Sequence, residues 1–431
     1  MTFDRCLFGL YDEANELIAV TGIHVDDFLI AGRKGNVIYE KAKEHLRSTF
    51  KFGKWSLASE GFTFAGCFVK QTPDGISVNQ EEYIREWVKE IPISKQRLSQ
   101  QKSPATKEEV AALRGLLGTV AWKGTQTGPQ FQAEVSLLLS KVPTATVATL
   151  EEANKLVREV RRTAGQRLLY PSWGLPWEAI STVVWADASQ GNRPNKSSTV
   201  GYLACYGPRS LLDGEEGTLA LIAWKSSKAP RETLGSNGAE VQAITIGEDS
   251  CFLLRAVWFE LNGGTVTRES LEAELKARTH GALITDSRGI FDAMTRNLSS
   301  LHGLRSSRAG FELTVSYQQA LRIGTKLRWV NGAAQLADGL TKAAPSARKG
   351  LLEFLTRGQK WSIVYDPSFT AGKKLTKAKL QQMLKSQEET FVSKLRDFTR
   401  DCNFPWFEDI DPHEPYVSDL EAQNLRKMLR M

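Results

Sequence analysis

The chain has 431 residues, 41% of them apolar and 24% charged, which is enough for two or three domains and too apolar for wholesale disorder. Lys and Arg number 56 against 49 Asp and Glu, and the resulting net charge of +7 permits a polyanionic partner without demanding one. The five cysteines (Cys6, Cys67, Cys205, Cys251, Cys402) and five histidines (His24, His45, His280, His302, His413) are scattered, which excludes a disulfide scaffold, a thiolate zinc site and a His-rich metal site and fits a reducing intracellular compartment, cytoplasmic or nuclear.

The opening MTFDRCLFGL lacks a basic segment followed by an apolar one, so no secretory signal is expected. No apolar run reaches about 18 residues, so no membrane association is expected either. Residues 7–70 read as β-rich, with apolar runs at Leu17–Val20 and Ile23–Ile30 broken by Gly22 and Gly32. A helix is predicted from about Asn36 to Phe50, since Val37, Ile38, Ala42 and Leu46 recur at helical spacing. Phe62–Val69 and Gly75–Val78 read as two strands around a Thr72-Pro73-Asp74-Gly75 turn.

Residues 81–167 read as helical. Tyr83, Ile84, Trp87 and Val88 share one spacing pattern, and Trp87 and Trp122 read as core. Thr106 with Glu109 three residues on forms a capping box, and Ala133–Leu139 and Leu150–Arg162 continue the pattern. Between Arg85 and Arg167 there are 14 Lys or Arg and 8 Asp or Glu, so most of the basic excess lies here. Arg158, Arg161 and Arg162 fall within about one helical turn and form a candidate phosphate-tracking face.

Pro171-Ser172-Trp173-Gly174-Leu175-Pro176 reads as a linker. Strand-like runs follow at Thr182–Trp185, Val200–Tyr206, Leu219–Trp224, Ala282–Thr285 and Lys326–Val330. Helical runs lie at Ala239–Leu261 and Ser287–Asn297, an order that predicts a mixed sheet with helices packed on it. Residues beyond Pro345 read as a tail, with a basic cluster (Lys373, Lys374, Lys377, Lys379) and an aromatic one (Phe404 to Phe407).

Four acids stand out by position. Asp187 closes the run Val183–Ala186, and Glu240 falls in the first turn of the helix after Ser236-Asn237-Gly238. Asp286 closes Leu283–Thr285, and Asp338 opens the helix in Leu336–Leu340. Any one alone reads as an ordinary acid favoured by a helix dipole. Four converging at the rim of a core would repel one another unless cations neutralised them. Hard divalent cations take oxygen ligands, and a pair of them can serve a phosphodiester displacement.

In this order the motifs resemble those of a known family. Trp185-Ala186-Asp187-Ala188-Ser189, Lys196 to Tyr202, Trp224 to Lys228, Asn237 to Ala243, Thr285-Asp286-Ser287 and Gln335 to Lys342 are similar to the ribonuclease H domain of copia-type retrotransposon polyproteins over about residues 180–344. The resemblance implies that Asp187, Glu240, Asp286 and Asp338 are catalytic carboxylates holding two Mg²⁺ ions, with Mn²⁺ able to substitute. It also implies a hydrolase that cuts the RNA strand of an RNA–DNA hybrid without a small-molecule cofactor. The loop Asn331 to Gln335 lacks the His that cellular ribonucleases H carry before the last acid, which points to a slower enzyme.

Upstream, His24-Val25-Asp26-Asp27 followed by Phe28 to Gly32 resembles the palm motif of the reverse transcriptases of the same elements, placing Asp26 and Asp27 as weaker metal ligands at a hairpin between buried strands. Gly61 to Cys67, Asp74 to Tyr83, Leu113 to Gly118 and the helices to Thr163 look like the segments that follow in that family. Before Asp26 the only acids are Asp4, Asp12, Glu13 and Glu16, and none ends a long apolar strand. A third palm carboxylate and the fingers are therefore expected to be missing, with polymerase function requiring a partner chain that supplies them. The expected fold is α+β or α/β and multidomain. It comprises a partial reverse transcriptase palm (1–80), a helical thumb and connection (81–170), a linker (171–179), a ribonuclease H-like mixed five-stranded sheet with flanking helices (180–344) and a tail (345–431). The alternatives are a catalytically silent nucleic-acid-binding remnant and a reverse transcriptase subunit completed by another chain.

Overall fold

The computed structural model describes residues 1–295, 304 and 306–363. The chain opens with an antiparallel sheet of β1 (Leu7–Tyr11), β2 (Leu17–His24) and β3 (Asp27–Gly32). Only Ile18 and Ala19 of these strands are fully buried, so the expectation of buried strands around Asp26 is corrected: the hairpin has one thin apolar face. Helix α1 (Val37–Thr49) follows, capped by the Asn36 side chain, which accepts from the backbone of Ile38 and Tyr39.

The single strand expected over Phe62–Val69 is a hairpin of β4 (Phe62–Phe64) and β5 (Cys67–Thr72). Ala65 and Gly66 both take positive φ (46° and 75°), as a two-residue turn that continues the strand twist requires. Next come β6 (Gly75–Asn79), α2 (Glu81–Trp87), α3 (Lys95–Leu98) and α4 (Lys107–Gln126), the last opened by the Thr106–Glu109 capping box. Then α5 (Gln132–Lys141) and α6 (Val147–Arg162) lead into β7 (Arg167–Pro171), which pairs with β6. The segments on either side of residue 80 thus share one four-stranded sheet, β4-β5-β6-β7. Leu113, Leu117, Val120, Phe131, Leu150, Leu156 and Val160 form the core of the helices. Trp87 and Trp122, expected in that core, are 59% and 37% exposed, because Ile84 and Val88 take the inward positions beside Trp87.

The stretch expected as a linker is anchored: the Trp173 indole donates to the Thr218 carbonyl (2.8 Å). The second large unit is a five-stranded mixed sheet built from β8 (Ile180–Ser189), β9 (Thr199–Pro208), β11 (Ala220–Lys228), β12 (His280–Thr285) and β13 (Thr325–Trp329), with the short β10 (Glu216–Thr218) outside it. The strand order is β11-β9-β8-β12-β13. The first three run antiparallel, and β8-β12-β13 run parallel. Both faces of β8 are covered, which is why its middle, Val183 to Ala186, reads as a continuous apolar run.

On one face, α7 (Ser236–Leu261), α9 (Arg288–Thr295) and α10 (Ser307–Arg322) meet Val184, Ala186 and Leu283 of the sheet, with Ile244 of α7 in the same core. Besides α10, α8 (Leu271–Arg278) was not foreseen; it packs Leu275 under the end of α7. On the other face, Val183, Trp185, Leu203 and Ile284 meet α11 (Asp338–Thr341), α12 (Pro345–Thr356) and the segment of β14 (Lys360–Ser362). The tail expected from residue 345 is therefore corrected: Leu351, Phe354, Leu355, Trp361 and Ile363 belong to this core. Pro345, which suggested a break, is the first residue of a helix, where a missing N–H costs nothing. The basic and aromatic clusters of the tail, with Asn297, His302, Cys402 and His413, lie outside the described residues.

Candidate metal centre

The site lies where β8, β12 and α11 come together. Asp187 sits inside β8, because the strand runs two residues past it to Ser189 instead of closing there. Asp286 follows the last residue of β12, and Asp338 is the first residue of α11. Carboxylate oxygens of these three residues lie within 4.8 Å of one another, although the residues are about a hundred and fifty positions apart at the extremes. Asp187 is buried and the other two are half-buried.

Glu240 is not part of that trio. Helix α7 begins at Ser236, so Glu240 stands past its first turn, a correction of the expected position. Its Oε2 is sealed from solvent and has no hydrogen-bond partner among the described residues. Burial, then the nearby Asp187 and Asp286 carboxylates, push its pKa well above the ordinary carboxylate range. Burial also pushes Asp187 up to about 8, against the pull of Lys342 and with the push of Asp338. Asp286 rises for the same first reason, burial, and then for Asp338.

The chain holds the trio with its own groups. The Thr341 hydroxyl donates to Asp187 Oδ2, and Lys342 Nζ donates to Asp338 Oδ1 while lying 3.4 Å from Asp187 Oδ2. Burial alone would depress the Lys342 ammonium, but Asp187 and Asp338 overcome it and raise its pKa. The Gln335 amide donates to the Ala186 carbonyl (3.0 Å), and the Trp329 indole donates to the Asp286 carbonyl (3.0 Å). Lys342 stood in the sequence as the end of a motif with no assigned role. The Asp338–Lys342 spacing of four was the available signal for an ion pair.

A line of hydrogen bonds leads from Thr341 to the helical unit. Asn192 donates from Nδ2 to the Thr341 carbonyl (2.8 Å), and the Thr199 hydroxyl donates to Asn192 Oδ1 (2.7 Å). Arg193 Nε donates to Thr199 Oγ1 (3.1 Å), and its other two nitrogens donate to the carbonyl (3.1 Å) and hydroxyl (2.7 Å) of Ser136 in α5. Thr199 and Thr341 stood inside quoted motifs with no role of their own, and Ser136, Asn192 and Arg193 were not marked, because a side-chain relay across two units has no sequence period.

The remaining candidates lie elsewhere. Asp26 and Asp27 are exposed at the tip of the β2–β3 hairpin and belong to no three-residue acidic or His/Cys cluster among the described residues. Arg158 is ion-paired with Glu90 and with Glu151 (2.8 Å), and Arg161 donates to the Val88 carbonyl (2.9 Å). Two of the three arginines of the expected phosphate-tracking face thus tie α6 to the segment after α2, while Arg162 is exposed. No helix among the described residues is long and apolar enough to cross a membrane.

No protein-family model matches the chain, and no curated protein matches it. Among solved structures, a foamy viral protease–reverse transcriptase in complex with an RNA/DNA hybrid is similar over 79% of this chain and 58% of that one, at 11% identity and a TM-score of 0.24. The chain thus spans less than two thirds of that protein.

Proposed function

We propose that the chain is a metal-dependent ribonuclease that hydrolyses the RNA strand of an RNA–DNA hybrid. The observation that carries the reading is the meeting of Asp187, Asp286 and Asp338 within 4.8 Å at one end of a five-stranded mixed sheet. Three carboxylates so close are costly without a cation, and an all-oxygen donor set suits a hard divalent ion such as Mg²⁺ or Mn²⁺. A span of 4.8 Å suits one ion, with Glu240 and its unpartnered Oε2 left to contribute to a second.

The substrate class comes from the resemblance of the six motifs between Trp185 and Lys342 to the copia-type ribonuclease H domain. When bound, such ions neutralise charge on the phosphate and make a water nucleophilic near neutral pH. In this reading Asp187 and Asp286 are the main ligands, and Glu240 also orients the RNA 2′-hydroxyl. Asp338, on the short α11, is the ligand with most freedom to move. Thr341 and Gln335 fix the geometry, as outer partners of metal ligands do. Hybrid recognition through shape, backbone and 2′-hydroxyls needs no base-reading element.

The test is cleavage of a labelled RNA–DNA hybrid with Mg²⁺ by the full chain and by Asp187→Asn. Loss of a ligand is expected to cut the rate by at least about a hundredfold. Equal rates would leave a silent nucleic-acid-binding protein as the better reading. Asp26 and Asp27, exposed and apart from the trio, support no polymerase reading for the chain alone. Primer extension on an RNA template is accordingly expected to be absent.

A further inference from the structure

We propose that the Lys342 ammonium is a built-in counter-ion of the carboxylate cluster, occupying the place a divalent cation takes and leaving as that cation enters; this rests on the reading that the trio binds a divalent ion. The geometry is specific. One ammonium touches Asp338 Oδ1 and stands 3.4 Å from Asp187 Oδ2, so two of the three clustered aspartates already share one positive charge. Asp187 itself is almost fully enclosed, and no other Lys, Arg or His forms an ion pair with it among the described residues.

Lys342 is suited to leave. It follows the last residue of α11, and its side chain is 36% exposed, so a rotation about its stem carries the charge to solvent with no backbone movement. A lysine ammonium is a compact charge on a flexible four-carbon stem and makes no bidentate fork that would hold it in place. Thr341, the neighbouring residue, points its hydroxyl at Asp187 and stays when Lys342 departs. The device solves a folding problem. The aspartates must be assembled before metal arrives, and their mutual repulsion would otherwise splay α11 from β8. Metal uptake then becomes an exchange of one cation for another, and the free-state ion pairs set a penalty on apparent metal affinity.

The test is Mn²⁺ binding, measured by calorimetric titration of the full chain as wild type, Lys342→Met and Lys342→Arg. Removing the competing charge is expected to tighten Mn²⁺ binding about fivefold in Lys342→Met, the scale of a partly exposed ion pair, and to lower the melting temperature of the metal-free chain. Lys342→Arg, which keeps a cation and grips carboxylates more firmly, is expected to bind Mn²⁺ no tighter than wild type. Equal or weaker binding by Lys342→Met, with wild type binding normally, would overturn the inference and leave the metal reading standing. No Mn²⁺ binding by either chain would overturn both. Should Lys342→Met not fold, the acylation rate of the Lys342 amine in the wild-type chain decides: it is expected to rise several-fold with Mn²⁺, and an unchanged or lower rate refutes the exchange.

Discussion

Lys123 in α4 is fully enclosed, and its ammonium donates to the Thr127 hydroxyl (2.7 Å), which donates in turn to Gln80 (2.8 Å). Burial pulls its pKa down to about 8 from 10.5, against an opposing effect from Cys67, whose own thiol burial pushes up to about 11. Between these two pH values the unfolded chain holds more protons than the folded one, so the fold gains stability as pH rises through that window. Below about pH 8 both states are charged and the full cost of burial remains. Lys123→Met is therefore expected to raise stability at pH 7 by about 2 kcal/mol and to flatten the rise toward pH 10, as read by urea unfolding at both pH values. A destabilised Lys123→Met would mean that the hydrogen bonds outweigh the charge. At the candidate metal centre, Thr341→Val removes the hydroxyl that meets Asp187 and is expected to weaken Mn²⁺ binding about tenfold while leaving the fold intact. An unchanged affinity would show that β8 alone sets that carboxylate.

At the scale of elements, the close approach of β9 to α11 decides where Asp338 stands. A Cβ on Gly201 would lie 2.9 Å from Leu340 Cβ, 3.0 Å from Thr341 Cγ2 and 3.2 Å from the Lys225 carbonyl. Gly201→Ala is expected to cost about 1–3 kcal/mol and, by displacing α11, to weaken metal binding as well. A melt shifted with metal affinity unchanged would show the helix and the site to be uncoupled. The same region shows what a sequence carries and what it hides. The five sheet strands were legible from short apolar runs, of which Val183 to Ala186 on the fully covered β8 is the clearest, and α4 was legible from its capping box. The three aspartates were legible only as a set: singly each reads as an ordinary acid, and it is their order, after two apolar runs and at the start of a helix, that marked them. Helix α12 was hidden by Pro345 and α8 by its weak apolar patterning, while α10 builds its inward face mostly from small and polar residues, Ala309, Gly310, Ser316 and Ala320, around Leu313 and Tyr317. The β4–β5 hairpin was hidden because Ala65 carries no turn signal of its own. The pairing of Arg158 with Glu90 and Glu151 was invisible, since charge counts do not say which acids a basic helix already meets.

At the scale of the molecule, the helical unit and the mixed sheet are joined by polar contacts in protected positions. The Arg348 guanidinium of α12 reaches Glu134 of α5 (3.3 Å) and Glu159 of α6 (3.2 Å). The Trp224 indole donates to the Gly124 carbonyl (2.7 Å), and the Gln359 amide donates to the carbonyls of Leu169 (3.0 Å) and Leu219 (2.8 Å). The two units are therefore expected to melt in one calorimetric transition. Arg348→Met, which strands two partly enclosed glutamates, is expected to cost about 3 kcal/mol, the lower end for breaking a buried pair. Two transitions in the wild-type chain would show these contacts to be too weak to couple the units.

The line of bonds from Ser136 through Arg193, Thr199 and Asn192 to Thr341 has an architectural consequence. The carboxylate on β8 takes its final setting from a helix that precedes it by some fifty residues, so the half that carries the aspartate trio is not a self-sufficient cassette. Grafting residues 180–363 onto another scaffold would deliver every proposed ligand and still leave the loop between β8 and β9 without its anchor. A working transplant has to bring α5 along.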